Sequence, residues 1–564
     1  MDLSWETGAP DGTPRKMVMV NGGFPAPQLF VDEGDSIEVT VVNHMPFNTT
    51  LHWHGIEQLN TPWADGVPGL SQKPIEPGHS FVYKFVASPY GTYWYHAHSR
   101  GNLQDGLYGA LHIRPKPGTP SPFHLITNDT RDLRDIKRAE ANPNLLLFSD
   151  WNHLTSWEYF DAEVLSGVDN FCMDSILTNG KGSVFCPGQE FLVSLETPYI
   201  IGALNHTNVT DKGCYPNIEQ TQGKYAYNES LIPPGLESGC VASSGSNETV
   251  EVNARDGWAS INLISATSLK TLAISIDEHP MWVYAVDGRY IEPQPADVIR
   301  MFNGERYSVL IKLDKKPGDY TIRVSDTGLD QIISGFATLV YKGGKDIGPS
   351  KPSINYGGDN LTADVLPLDI THLPPWPPVP VAETADAMHV LRLGRLDHAW
   401  EWTLDGDAVY EMDRSAYHPL LYSLNQADAK DKDLTIRTLN NTWVDIVLQV
   451  GWSPEQPIEF PHSMHKHANK ASIIGTGLGI WNYTSTAEAI AAHPDNFDLV
   501  NPMYRDTFVT SFDGPSWVVI RYHVRNPGAW LFHCHIETHL EGGMSVALLD
   551  GVDHWPYVPK EYRN

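Results

Sequence analysis

One stretch of this chain occurs three times. Pro77 to His98 reads PGHSFVYKFVASPYGTYWYHAH, and Gly514 to His535 reads GPSWVVIRYHVRNPGAWLFHCH. The two align without a gap, so that Gly91 falls on Gly528, His96 on His533, Ala97 on Cys534 and His98 on His535. A weaker copy, Gly304 to Ser325 (GERYSVLIKLDKKPGDYTIRVS), places Gly318 on the same glycine but has Arg323 and Ser325 where the others have histidines. Each copy is an alternating run, a turn and a second run, the pattern of two strands. Three homologous β domains are therefore expected. No long helical periodicity competes with this reading, so the class is all-β, built of sandwiches or barrels. A length of 564 residues suits roughly three or four domains. The Pro/Gly-rich stretch from Arg114 to Pro120 and the run from Gly343 to about Val381, with its Pro374-Pro375-Trp376-Pro377-Pro378, read as linkers. They divide the chain at 1–118, 119–345 and 346–564.

The first and third domains carry ligands where the middle one does not. Four His-x-His pairs occur, His52/His54, His96/His98, His465/His467 and His533/His535, with His462 and His539 beside them. Alternation along a strand puts both imidazoles of such a pair on one face and the residue between them on the other. A lone histidine is usually a satisfied core or surface residue; four pairs using eight of 24 histidines point to metal. Cys534 lies between His533 and His535, so one strand can ligate two centres and join them through its own backbone. Structural zinc prefers closed Cys/His tetrahedra, which ten histidines and one cysteine fit poorly. Two histidines, a cysteine and a methionine such as Met544 make the blue-copper pattern.

Composition excludes some partners. The net charge of -29 repels nucleic acid and anionic membranes, and neither is expected as a partner. No apolar run approaches the roughly 20 residues needed to span a bilayer. The N-terminal Met1-Asp2-Leu3-Ser4-Trp5 shows no signal-peptide pattern, as in a mature form. Nine Asn-x-Ser/Thr sequons, at Asn48, Asn128, Asn205, Asn208, Asn228, Asn247, Asn360, Asn440 and Asn482, argue for a secreted glycoprotein. Of five cysteines, Cys172, Cys186, Cys214 and Cys240 cluster in the middle domain; proximity favours Cys172–Cys186 and Cys214–Cys240. Cys534 is left over, as a metal thiolate would be.

With these motifs in this order, the whole chain resembles the multicopper oxidases, and within them the fungal laccases and laccase-like enzymes. The resemblance implies three cupredoxin-like domains and four copper ions: one type 1, one type 2 and two type 3. Position by position, it implies His462, Cys534 and His539 as type 1 ligands with Met544 axial. His52 and His465 would hold the type 2 ion. His54, His96 and His535 would hold one type 3 ion, and His98, His467 and His533 the other. The implied activity is of the benzenediol:oxygen oxidoreductase type. Electrons from phenols, aminophenols or related aromatics are taken up through His462 and pass by way of Cys534 to His533 or His535, and O2 is reduced to water. Asp65 and Glu537 hold the positions expected to supply protons.

The chain departs from the laccase pattern at Ser463 and Lys466, where laccases commonly have Pro and Leu, and at Met544, where many have Leu or Phe. The position of the usual substrate-binding acid aligns with Leu269. A ferroxidase or a narrow biosynthetic phenol-coupling oxidase is the enzymatic alternative, and a non-catalytic copper electron-transfer protein the remote one. O2 and small aromatic reductants are the expected partners, and the protein is expected to be an N-glycosylated monomer.

Overall fold

The computed structural model describes the chain except residues 100, 204–206, 216–222, 328–329, 346, 405–407, 411–417, 425–433, 452–460, 512 and 564. The sequon at Asn205 lies outside the described residues. Strands form three two-sheet sandwiches in succession. In the first, the sheet ordered Arg15–Val20, Asp2–Gly8, Ser36–Asn43, Ser80–Val86 packs on the sheet ordered Leu29–Asp32, Tyr108–Arg114, Gly91–Ala97, Leu51–His54. The second and third each pair a six-stranded with a five-stranded sheet. This is the cupredoxin-like, all-β architecture.

The repeated stretch has the same meaning in every domain. It is the strand pair Ser80–Val86/Gly91–Ala97, then Arg306–Lys312/Asp319–Asp326, then Ser516–His523/Gly528–Cys534. In each case the first strand belongs to one sheet and the second to the facing sheet. The repeat is therefore the chain's crossing from one layer to the other, and its apolar alternation faces the core on both sides. Three apolar cores result, around Val41, Trp53 and Tyr83; around Ile261, Ile274 and Val309; and around Ile446, Ile520 and Phe532.

The middle domain adds a helix, Ser156–Ser166. Thr155 and Glu158 form a reciprocal capping box at its start, and Gly167, with φ of 76°, ends it in the left-handed conformation. The chain then turns back past Asp169 toward the third domain.

The disulfides are Cys172–Cys214 and Cys186–Cys240, which corrects the pairing by proximity. Strand pairing outweighs nearness in sequence. Gln331 holds the backbone of Met173 by two hydrogen bonds of 2.8 Å and is bridged to Cys214, which brings Cys214 to Cys172. Ser183–Val184 pairs with Ser243–Ser244, which brings Cys186 to Cys240.

Six sequon asparagines, Asn128, Asn208, Asn228, Asn247, Asn360 and Asn482, are exposed, and Asn48 and Asn440 are partly so. Among the described residues no helix is long and apolar enough to cross a membrane.

Candidate metal centres

The two ligand-bearing domains build the same local structure. In the first, Leu51–His54 pairs antiparallel with Gly91–Ala97, with His52 opposite His96. In the third, Ser463–Lys466 pairs with Gly528–Cys534, with His465 opposite His533. The turn at Asp65-Gly66 closes on the first of these strands. A Cβ on Gly66 (φ 92°) would lie 2.0 Å from the Leu51 carbonyl oxygen, so only glycine fits. The two strand pairs meet across the domain boundary and bring all four His-x-His pairs into one buried cluster.

Most of these imidazoles are held by one nitrogen. The Nδ1–H groups of His52, His96, His465 and His533 donate to the carbonyls of Asp65, Ala97, Asp506 and Cys534, at 2.7, 2.8, 2.9 and 2.8 Å. His467 Nδ1 donates to the Asp65 carboxylate at 2.9 Å. A carbonyl only accepts, so these contacts set the tautomer and leave each Nε2 as a bare lone pair. Those of His52, His96 and His465 are buried without a hydrogen-bond partner. The Nε2 atoms of His467 and His533 approach to 3.2 Å. His54 is turned round: its Nδ1 is 3.3 Å from His535 Nε2, while its Nε2 is 3.6 Å from Asp506 Oδ1. Both nitrogens of His98 are buried and unpartnered.

Burial and neighbouring imidazoles push His54, His96, His98, His465, His467 and His533 well below the usual histidine range, and burial brings His535 down to about 3. These rings are therefore neutral. Converging lone pairs with no protons between them are a cation site, and neutral imidazole suits copper. Among the described residues His98, His467 and His533 form one compact ligand set, His52, His54 and His96 another, and His52 with His465 and His467 a third.

Two carboxylates frame this cluster. Asp65 serves His52 with its carbonyl and His467 with Oδ2, and its buried Oδ1 has no hydrogen-bond partner. Asp506 was missed in the sequence. Its carboxylate takes Arg306 Nη2 at 2.8 Å and Lys470 Nζ at 2.6 Å. Burial alone would raise its pKa, but Arg306 and Lys470 hold it well below the usual carboxylate range. Arg306 comes from the middle domain, so this ion pair docks that domain against the ligand cluster.

On the opposite face of the Gly528–Cys534 strand lies a second set. Cys534 Sγ is 3.7 Å from Nδ1 of both His462 and His539, and these two nitrogens are 3.2 Å apart. Burial pushes the Cys534 thiol up to about 12, so a thiolate here needs a bound cation. Met544 is fully buried in the same apolar core as Cys534, and its carbonyl accepts the Cys534 N–H at 3.0 Å. Leu269 packs in that core too. Trp402 stacks on His539 at 4.2 Å and meets His462 edge-on at 4.9 Å. The Arg395 guanidinium covers Trp402 at 4.2 Å and pairs with Asp169 at 3.3 Å. Asp169 in turn lies 3.6 Å from His539 Nε2. Asp169, Arg395 and Trp402 carry no spacing signal in the sequence; only the capping box ahead of Asp169 is visible there.

Glu537 begins the short helix Glu537–Glu541, two residues after His535, and its N–H donates to the Ser268 carbonyl at 2.9 Å. Burial, then the charges of Glu541, Asp150 and Asp105, push its carboxyl well above the usual range, which favours its protonated form. The laccase-pattern departures are built into the core. Ser463 Oγ donates to the Asn303 carbonyl at 2.7 Å. Lys466 is fully buried, with Nζ on the carbonyls of His467 and Asn469, both at 3.2 Å, and over the Tyr522 ring.

Three family models, each described as multicopper oxidase, match residues 2–118, 142–344 and 401–554. The chain is 56% identical to "Multicopper oxidase GIP1" of Gibberella zeae, over 99% of this chain and 84% of that protein. It is 52% identical to "Multicopper oxidase VdtB" of Byssochlamys spectabilis over 99% of this chain and 84% of that one, and 51% identical to "Laccase abr2" of Aspergillus fumigatus over 99% and 95%. Among solved structures, the fold is shared with the laccase from Botrytis aclada (TM-score 0.70, 22% identity, 99% of this chain and 88% of that one). It is also shared with Fet3p, a multicopper oxidase that functions in iron import (TM-score 0.69, 21% identity, 100% and 93%).

Proposed function

The chain belongs to the multicopper oxidase family and is a laccase-like oxidoreductase, and from that premise we propose how its residues divide the work. His462, Cys534 and His539 would hold a type 1 copper, with Met544 as a further donor. His52 and His465 would hold a type 2 copper. His54, His96 and His535 would hold one type 3 copper and His98, His467 and His533 the other, four ions in all. Bound there, copper supplies one-electron oxidation of phenols, aminophenols or related aromatics at the first site and reduction of O2 to water at the other three. The observation that carries this reading is the Gly528–Cys534 strand, whose cysteine faces one donor set while His533 beside it faces the other.

The protein supplies orientation and protons. The Nδ1 tethers fix the rings of His52, His96, His465, His467 and His533 before a metal arrives, which lowers the reorganisation that binding and electron transfer require. Asp65, whose Oδ1 has no hydrogen-bond partner, and Glu537, whose burial favours the protonated carboxyl, are the proton carriers for O2 reduction. His462 takes up electrons together with His539. Asp169, beside His539 Nε2, is the acid that the Leu269 position lacks, and it accepts the hydroxyl proton as a phenol is oxidised. The exposed sequons and the acidic composition support a secreted, N-glycosylated monomer; glycosidase treatment followed by mass measurement and gel filtration tests this.

The deciding experiment is O2 uptake with a panel of phenols, aminophenols, ferrocyanide and ferrous iron, on the unaltered protein and on Asp169→Asn. The proposal expects water as the product, turnover of the aromatics, and a loss in Asp169→Asn confined to donors that must lose a proton. Release of peroxide, or turnover of ferrous iron alone, contradicts it.

A further inference from the structure

A cavity of about 380 Å³ lies where the three domains and the second linker meet, and none of the candidate metal ligands lines it. Its wall carries three cations, Arg289, Lys470 and Arg525, on a protein of net charge -29. Two of them are engaged. Lys470 Nζ bonds Asp506 at 2.6 Å, and Arg525 bonds Glu57 at 2.7 and 3.0 Å. Arg289 is not: among the described residues it makes no ion pair, and its buried Nε has no hydrogen-bond partner. A buried guanidinium donor left without an acceptor is unfavourable, so an acceptor from outside the chain accounts for it best.

The rest of the wall says what kind of acceptor. Pro89, Pro378 and Pro380 are flat and apolar, and Tyr90 and Tyr504 add aromatic surface. Burial pushes both phenols up to about 12, and the Arg289 charge acts on each, which places the guanidinium near both rings. The rings are therefore neutral O–H donors in ordinary conditions. A planar guanidinium matches a carboxylate in two-point fashion, and the proline and tyrosine walls suit a flat ring rather than a bare ion.

The pocket is also rigid. Arg289 follows the turn at Asp287-Gly288, and Asp287 is held by Arg505 at 2.9 Å. Gly288 packs so closely on Gly91 of the first domain that a Cβ on Gly91 would come within 2.2 Å of the Gly288 carbonyl oxygen. A site built before its ligand arrives loses little free energy to ordering.

We propose that this three-domain junction is a binding site for a small aromatic carboxylate, with Arg289 as its anchor, separate from the site of oxidation.

Benzoate, which has no oxidisable hydroxyl, is the probe, titrated into the copper-loaded protein by calorimetry. Saturable binding is expected, with uncharged benzamide and ring-less acetate each at least roughly tenfold weaker, a difference of about 1.4 kcal/mol. Arg289→Gln should weaken benzoate to the level of benzamide, and Arg300→Gln, at an exposed position, should leave it unchanged. Equal affinity in Arg289→Gln, no saturable binding at millimolar benzoate, or acetate binding as tightly as benzoate overturns the proposal. If Arg289→Gln does not fold, the comparison of benzoate with benzamide and acetate on the unaltered protein decides alone.

Discussion

The Nε2 atoms of His467 and His533 lie 3.2 Å apart, while the Nδ1 of each is already committed, one to the Asp65 carboxylate and the other to the Cys534 carbonyl. Two lone pairs aimed at each other repel unless a cation lies against both. Metal removal should therefore destabilise the fold as well as abolish activity. With copper at a thousand times its Kd, the stabilisation is roughly 4 kcal/mol for one site. Calorimetry of the chelated and reloaded protein checks it; an unfolding temperature indifferent to copper would contradict the reading of this cluster.

Met544→Leu should raise the type 1 potential, because a thioether donor is replaced by a group that cannot ligate. Its burial in the same core as Cys534 leaves room for a leucine of similar volume, so the fold should hold. Redox titration reads the outcome, and an unchanged or lower potential counts against axial ligation.

Glu537→Gln removes a releasable proton and keeps the shape. O2 reduction should slow by roughly a hundredfold, while reduction of the type 1 site by substrate stays fast. Stopped-flow measurement separates the two steps. Slowing of substrate oxidation alone rules out the proton role.

How much of this was legible in the sequence depends on the range of the interaction. The His-x-His pairs follow from the strand period of two, and the gapless repeat shows that one strand pair recurs. That its two strands lie in facing sheets is not visible from alternation, which reads alike in either layer. The disulfides escaped proximity because Gln331 and the Ser183–Val184/Ser243–Ser244 pairing decide them. Asp506 and Arg306 are 200 residues apart, and no motif links the two, yet their ion pair seats the middle domain on the histidine cluster. Asp169 and Trp402 reach His539 only through the packing of two domains.

Glu140 and Glu237 should each contribute stability that falls as pH rises from the carboxylate range toward neutrality, opposite in sign to the contribution of the buried histidines. Burial pushes the carboxyls of Glu140 and Glu237 up to about 7. A carboxyl with a raised folded pKa binds its proton more tightly in the folded state. Its stabilising share is complete below the unfolded value near 4.5 and is lost as pH rises to about 7. For Glu140 the loss is at most about 3 kcal/mol. Glu140→Gln should remove this downward contribution and so shift the slope of stability against pH upward, read by denaturant unfolding at pH values across that window. An unaltered slope in the variant excludes Glu140 as its source.

On the proposed assignment, Cys534 alone joins an electron-accepting copper to an oxygen-reducing cluster. The most direct test is the visible spectrum, copper content and oxidase activity of Cys534→Ser. Loss of the intense thiolate-to-copper charge-transfer band and of substrate oxidation is expected, with copper retained by the buried histidine cluster. A variant that stays blue, or that still couples aromatic oxidation to O2 uptake, would contradict it.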